Sequence, residues 1–272
     1  MGIGNIIRCQ TLVNKSLQGN FILNKKIDTK NLYYVVLASI ISGIGLLMNA
    51  KPVVLGSMLI SPLSVPIFRS VIGIIKSDGK TITNNVIFLC LMCIIAYIIG
   101  ITMALLNSKL EYFSVPTKEM EDRVSMPKYI GNFLIPILAG MVMSVAHYYD
   151  DYIVLAGIGL VIAFLPPIVN AGLYHGVFFF NNMNKIYGQV DKNINLVEKQ
   201  NDNLNNRSDT KDQGTMENNV EDKNIINFSK NENITKSTEL IQKGLMSLLL
   251  AVVNMTGVFI TTLITLWLLC RS

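Results

Sequence analysis

Charged residues divide this chain into long uncharged stretches. The windows 31–50, 52–68, 81–108, 129–149, 152–184 and 244–270 contain no Asp, Glu, Lys or Arg, and run for 20, 17, 28, 21, 33 and 27 residues. A soluble amphipathic helix puts a charge on its wet face every turn or two, and these stretches do not. A hydrocarbon core of about 30 Å takes roughly 20 helical residues, so every window but the second is long enough to cross it alone. Between Leu245 and Leu269 stand fourteen Leu, Ile, Val or Phe residues. At roughly −0.3 to −0.6 kcal/mol each, they favour insertion by about 4 to 8 kcal/mol. The pattern predicts an all-α protein, a polytopic transmembrane helix bundle.

Prolines interrupt two of the windows. The second reads Val53 to Ile60, then Ser61-Pro62-Leu63-Ser64-Val65-Pro66, then Ile67 onward to Lys76. Two prolines four apart remove two backbone donors and clash with the preceding turn, so a broken helix is expected. The fifth window would reach about 45 Å as one helix over 152–181, well beyond the core. Pro166-Pro167 interrupts it near its middle, so a second broken or strongly kinked helix is expected there. In span one, Ala38/Ser42 and Ser39/Gly43 are small residues four apart, a spacing that lets membrane helices approach closely. Gly140/Ser144 repeats that spacing, and Pro136 kinks the same segment. Residues 182–243 are of another kind, rich in Asn, Asp, Lys and Glu with almost no aromatic. Such a segment cannot bury enough apolar surface to offset its ordering entropy, and disorder is expected. The organisation is therefore a basic leader 1–30, a membrane domain 31–181, a disordered polar insertion 182–243 and a final helix 244–270.

Composition agrees: 51% of residues are hydrophobic and 15% charged, with a mean hydropathy of +0.44. The net charge of +5 is small and scattered, which points away from nucleic acid as a partner. Arg8, Lys15, Lys25, Lys26 and Lys30 precede the first span against a single Asp28. That bias, with three basic residues in 69–80, puts the N-terminus on the cytoplasmic side. The first apolar run begins behind a polar leader, near Tyr33, so it reads as a retained helix rather than a cleaved signal. Cys90 and Cys93 form a CxxC inside an apolar run with no second pair or histidine beside it. Zinc needs four converging ligands, so the two read as small apolar residues. Neither they nor Cys9 and Cys270 indicate a disulfide framework.

Candidate chemistry lies at the interruptions. Paired breaks in membrane helices point unsatisfied amides and carbonyls at a shared centre, which can replace the hydration of an ion or polar solute. The expected path or binding residues are Ser57, Ser61, Pro62, Ser64 and Pro66 in the first break, and Pro166, Pro167 and Asn170 in the second. A second reading stays open, in which the prolines only kink packed helices. Arg69, three residues past Pro66, either lines a cavity or snorkels to the interface. His175, beyond the Pro-Pro break, is a candidate for lining a path. His147, Asp150 and Asp151 read as an interfacial turn rather than a metal site. No catalytic motif, metal set or cofactor fingerprint is seen, so an enzyme ranks last.

The run Asn49-Ala50-Lys51-Pro52-Val53-Val54-Leu55-Gly56-Ser57-Met58-Leu59-Ile60-Ser61-Pro62-Leu63-Ser64-Val65-Pro66-Ile67 resembles the signature of the domain-of-unknown-function 389 family of hydrophobic membrane proteins. The segment Ala163-Phe164-Leu165-Pro166-Pro167-Ile168-Val169-Asn170-Ala171-Gly172-Leu173 is similar to that family's second landmark, and the last helix with Asn254 to its closing span. The resemblance covers roughly 31–180 and 244–270, and the insertion 182–243 departs from it. It implies a multi-pass membrane domain compatible with a homo-oligomer, and brings no substrate. The expected function is that of a small transporter or channel-like protein for a solute or ion. The alternative is a membrane scaffold that recruits a partner through 182–243; deleting that segment separates the two.

Overall fold

The computed structural model describes residues 29–110, 112–124, 129–149, 164–184 and 221–271, with Asp151, Val154, Gly157 and Ile158. Among these residues every regular element is a helix. In chain order they are α1 (Thr29–Leu47), α2 (Lys51–Ile60), α3 (Ser64–Ile75), α4 (Gly79–Leu110), α5 (Lys118–Asp122), α6 (Tyr129–Tyr148), α7 (residues 165–184) and α8 (Glu221–Arg271). Thr29–Leu47, Gly79–Leu110 and Ser237–Arg271 are each long and apolar enough to cross a membrane. The pair α2 and α3 passes the same test jointly, bent by 41° at its break. Each carries large exposed apolar side chains, such as Leu37 and Ile44 on α1, Ile87, Ile94 and Ile98 on α4, and Leu249, Ile260 and Ile264 on α8. On a soluble protein such faces would be anomalous; here they are the lipid side. At the end of α8 the Arg271 guanidinium lies 4.9 Å from the Trp267 ring centroid, a pairing suited to the membrane interface.

Two tight reversals set the first three spans antiparallel. After α1 the Ala50 amide reaches back to the Gly45 carbonyl (2.9 Å) and the Asn49 amide to Leu46 (3.3 Å), with Asn49 at φ 56°. After α3 the same bonds join Asp78 to Gly73 (2.9 Å) and Ser77 to Ile74 (3.0 Å), with Ser77 at φ 57°. Both are Schellman closures, which normally place glycine in that left-handed position. Asp78 then caps α4, accepting the Lys80 amide and the Thr81 hydroxyl (3.1 and 2.5 Å).

Small residues bring the helices together. On α1, Gly43 lies against Met103 of α4 and Gly45 against Val53 and Val54 of α2, and Ala38, Ser39 and Ser42 are buried as well. Gly100 of α4 and Gly172 of α7 cross backbone to backbone, and Gly176 lies on Ile101 and Ala104 one turn further. Thus α7 runs parallel to α4. Gly140 of α6 meets Val258 and Thr261 of α8, and the Ser144 hydroxyl donates to the Thr262 carbonyl (2.9 Å). The chain is thus held by close backbone approach and side-chain hydroxyls, the means left to helices whose surroundings are as apolar as themselves.

Between α4 and α6, α5 folds back against the bundle, with Met120 fully buried and the Glu119 side chain 5% exposed. Its depth is set by bonds to distant loops. The Thr117 hydroxyl donates to the Leu46 carbonyl (2.7 Å), and the Glu119 amide to the Asn49 side chain (2.8 Å). The final helix begins earlier than the expected residue 244. Residues 221–243, assigned above to a disordered insertion, are helical. The reason lies at their inner end, where Leu240 is buried and Lys243 pairs with Glu239 (2.8 Å) and with Glu121 of α5 (3.1 Å). Residues 185–220 of that insertion, the leader before Thr29 and Asp150 lie outside the described residues. Among the cysteines, Cys90 and Cys93 are free thiols, whereas Cys270 is disulfide-bonded.

Candidate functional site

Both proline segments open helices at one depth. In α3, Pro66 is the third residue, where an amide would have no helical acceptor, so the ring fits without breaking a bond. Pro166 and Pro167 hold the second and third positions of α7 for the same reason. Gly73 lies against Ile82, and Gly172 against Tyr97 and Gly100. Counting back along each helix at about 1.5 Å per residue, Leu63 and Leu165 both fall near the level of Met92 and Cys93, midway along α4. Residues 159–163, immediately before α7, lie outside the described residues.

The serines of the first break are committed unequally. Ser57 is buried, but its hydroxyl donates to the Val54 carbonyl of its own helix (2.7 Å). Ser61 is half-buried; its amide caps α2 on Ser57, and its hydroxyl oxygen is buried without a partner. Pro62 lies in the turn, its carbonyl accepting from Val65 (3.1 Å), and Ser64 is the half-buried first residue of α3. The Pro66 carbonyl accepts the Ser70 hydroxyl (2.8 Å). Arg69 is half-buried on α3 and engaged by a neighbour. Near the membrane edge, His147 stacks on Phe68 of α3, with ring centroids 3.4 Å apart. The Asp151 side chain accepts the Val154 amide (3.2 Å).

The second centre is built around Asn170. Its side-chain amide donates to the Met120 carbonyl of α5 (3.2 Å) and to the Ser247 hydroxyl of α8 (3.3 Å). Ser247 in turn donates to the Pro167 carbonyl (2.8 Å). This chain of donors fixes the amide's direction. Met120 offers only an acceptor and the Ser247 proton is already given to Pro167, so the nitrogen must face them both. Asn170 Oδ1 is therefore turned the other way, fully buried and without a donor. One helical turn on, the hydroxyl of fully buried Tyr174 is also without a partner. The two share a face, because residues four apart on a helix stack, and a tyrosine leans back over the preceding turn.

His175 lies on the adjacent face of α7. Its Nδ1 is 2.7 Å from the Tyr97 hydroxyl of α4, and its ring packs on Gly244 of α8. It therefore joins three helices. Asn170 and the serines of the first break do not bond one another; among the described residues the partners of Asn170 are Met120 and Ser247.

A comparison with protein-family models matches the family described as Domain of unknown function (DUF389) over residues 58–260, well over half of the chain. The chain belongs to this family. No curated protein and no solved structure gives a match. The DUF389 match runs from near the end of α2 through most of α8 and includes both proline segments, Asn170, Tyr174 and Ser247. It also spans the polar residues between α7 and α8, which the resemblance in sequence left out.

Sequence reasoning missed Met120, Ser247, Tyr174 and Tyr97 as members of the site. Tyr174 had a signal: it stands four residues after Asn170 on a helix. Met120 had none, since it contributes a backbone carbonyl from a polar connector fifty residues away.

Proposed function

We propose that this membrane protein moves or gates a small polar solute or ion, with its centre where α7 begins, at Asn170 and Tyr174. One observation supports the reading above others: two polar atoms, Asn170 Oδ1 and the Tyr174 hydroxyl, are fully buried and uncommitted inside an apolar helix bundle. An unpaired buried polar group costs roughly 1–3 kcal/mol, and in a packing-only helix an apolar side chain of similar shape would avoid that penalty. Ser61, in the first break, adds a third such atom. With the N-terminus on the cytoplasmic side, α5 and the turn at Asn49 face outward and cover the centre from that end.

Flux into proteoliposomes tests the reading. Wild-type protein is expected to conduct or exchange solute, and Asn170→Leu and the pair Pro62→Ala, Pro166→Ala to lose most of the rate. Equal flux from both variants, recovered folded, would remove the mechanism. Deleting residues 185–220 is expected to leave flux intact; a lost partner with no flux in either protein would favour the scaffold instead.

A further inference from the structure

We infer that the Asn170–Tyr174 face of α7 is a binding site for an alkali-metal cation, entered past the acidic residues of α5 and α8. This rests on the reading of that face as the functional centre and names its ligand. The argument starts from what the two atoms can accept. Asn170 Oδ1 has lone pairs and no proton, and its amide cannot turn over, because the nitrogen is held by Met120 and Ser247. The Tyr174 oxygen can present its lone pairs in the same way. The Tyr174 hydroxyl could also donate, but Asn170 Oδ1 has no proton to give, so a cation is the ion that both oxygens can meet together.

The charged groups that act on the Tyr174 hydroxyl are both acidic, Glu121 of α5 and Glu239 of α8. Glu119, 5% exposed, has one oxygen on Arg123 (2.7 Å) and the other 3.8 Å from Lys51 without a hydrogen bond. The basic groups beside them are already paired: Lys243 with both Glu121 and Glu239 (3.1 and 2.8 Å), and Arg123 with Glu119. Hard monovalent cations take oxygen ligands from amides, hydroxyls and water, and the two uncommitted side-chain oxygens supply part of such a shell.

The experiment measures binding without flux. Purified full-length protein in detergent is melted in NaCl, KCl or choline chloride at constant total ionic strength, so that screening of the surface ion pairs is unchanged. Wild type is expected to show a saturable rise in melting temperature with Na⁺ or K⁺ and none with choline. Tyr174→Phe removes a hydroxyl that bonds nothing, so it is expected to fold and to melt in choline at or above the wild-type temperature. It should lose the cation-dependent rise. Equal melting of wild type in all three salts, or a rise that survives in Tyr174→Phe, overturns the cation. If the cation fails while proteoliposome flux persists, a neutral solute with hydrogen-bond donors takes its place. If the rise appears with no flux, the site stands and transport does not.

Discussion

The crossing of α4 and α7 gives a sharp test of the packing. A Cβ built on Gly172 would overlap the Tyr97 carbonyl oxygen and lie 2.9 Å from Gly100 Cα and 3.0 Å from the Ile101 amide nitrogen. All three obstacles are backbone, so no rotamer change relieves them. Restoring ordinary contact would push the helices apart by about an ångström, and a gap of that size forfeits a quarter to a half of each dispersion contact. Gly172→Ala is therefore expected to cost about 1–3 kcal/mol, as overpacking does elsewhere. Gly56→Ala is the control: nothing lies within 4 Å of its Cβ, and it is in the interior of α2. Alanine there should gain up to about 1 kcal/mol of helix propensity. Gly100→Ala should resemble Gly172→Ala, and the double variant should lose less than the sum, because one separation relieves both. Thermal melting and monodispersity in detergent check these values. A Gly172→Ala protein that melts with wild type, beside a normal Gly56→Ala, would refute the close crossing.

Three further outcomes follow from local geometry. Arg123→Met leaves the buried Glu119 carboxylate with only Lys51 at 3.8 Å and is expected to cost about 3 kcal/mol, whereas Lys51→Met, 66% exposed, should change stability by about 1 kcal/mol or less. Chemical denaturation in detergent compares the two, and equal effects would contradict the buried pair. Asp78 lies outside the spans; the Thr81 hydroxyl, then its amide, hold the Asp78 carboxyl below the usual range. Its stabilising effect is thus complete above the ordinary aspartate range and fades as pH falls through the depressed value, so the melting gap between wild type and Asp78→Ala should close only in strong acid. A gap already closed at pH 5 would count against the cap. Ser77→Gly removes the strain of a non-glycine residue at φ 57° and should stabilise by about 1 kcal/mol in a thermal melt, an effect absent if that turn opens in the membrane.

The spans were legible because a lipid environment excludes charge, and that shows as gaps between Lys30, Lys51, Lys80, Lys109 and their successors. Gly140/Ser144 and the small residues of α1 were legible for a related reason: only small side chains allow close helix contact in lipid. What could not be read was any feature whose cause is distant in sequence. Glu119 in a polar connector looks like a solvated charge. Its burial depends on Arg123 four residues on, and on Asn49 and Lys51 about seventy residues away. The start of α8 was misplaced because composition marks 221–243 as polar, while Leu240 and the Lys243 ion pairs decide its conformation.

The prolines turn out to act by placement more than by unpairing the backbone. A proline inside a helix strips a carbonyl of its donor, but Pro66, Pro166 and Pro167 stand in first turns, where the amide they lack had no acceptor to lose. The Pro66 and Pro167 carbonyls are moreover taken by Ser70 and Ser247. Uncommitted groups near the two breaks are side-chain atoms instead, among them Ser61 Oγ, Asn170 Oδ1 and the Tyr174 hydroxyl. By starting helices inside the bundle, the prolines bring Asn170 to the carbonyl of Met120, and that contact turns its oxygen away from Met120 and Ser247. The orientation of that one amide is set by α5 through the Met120 carbonyl. Loosening α5 should release that amide before it disturbs any span.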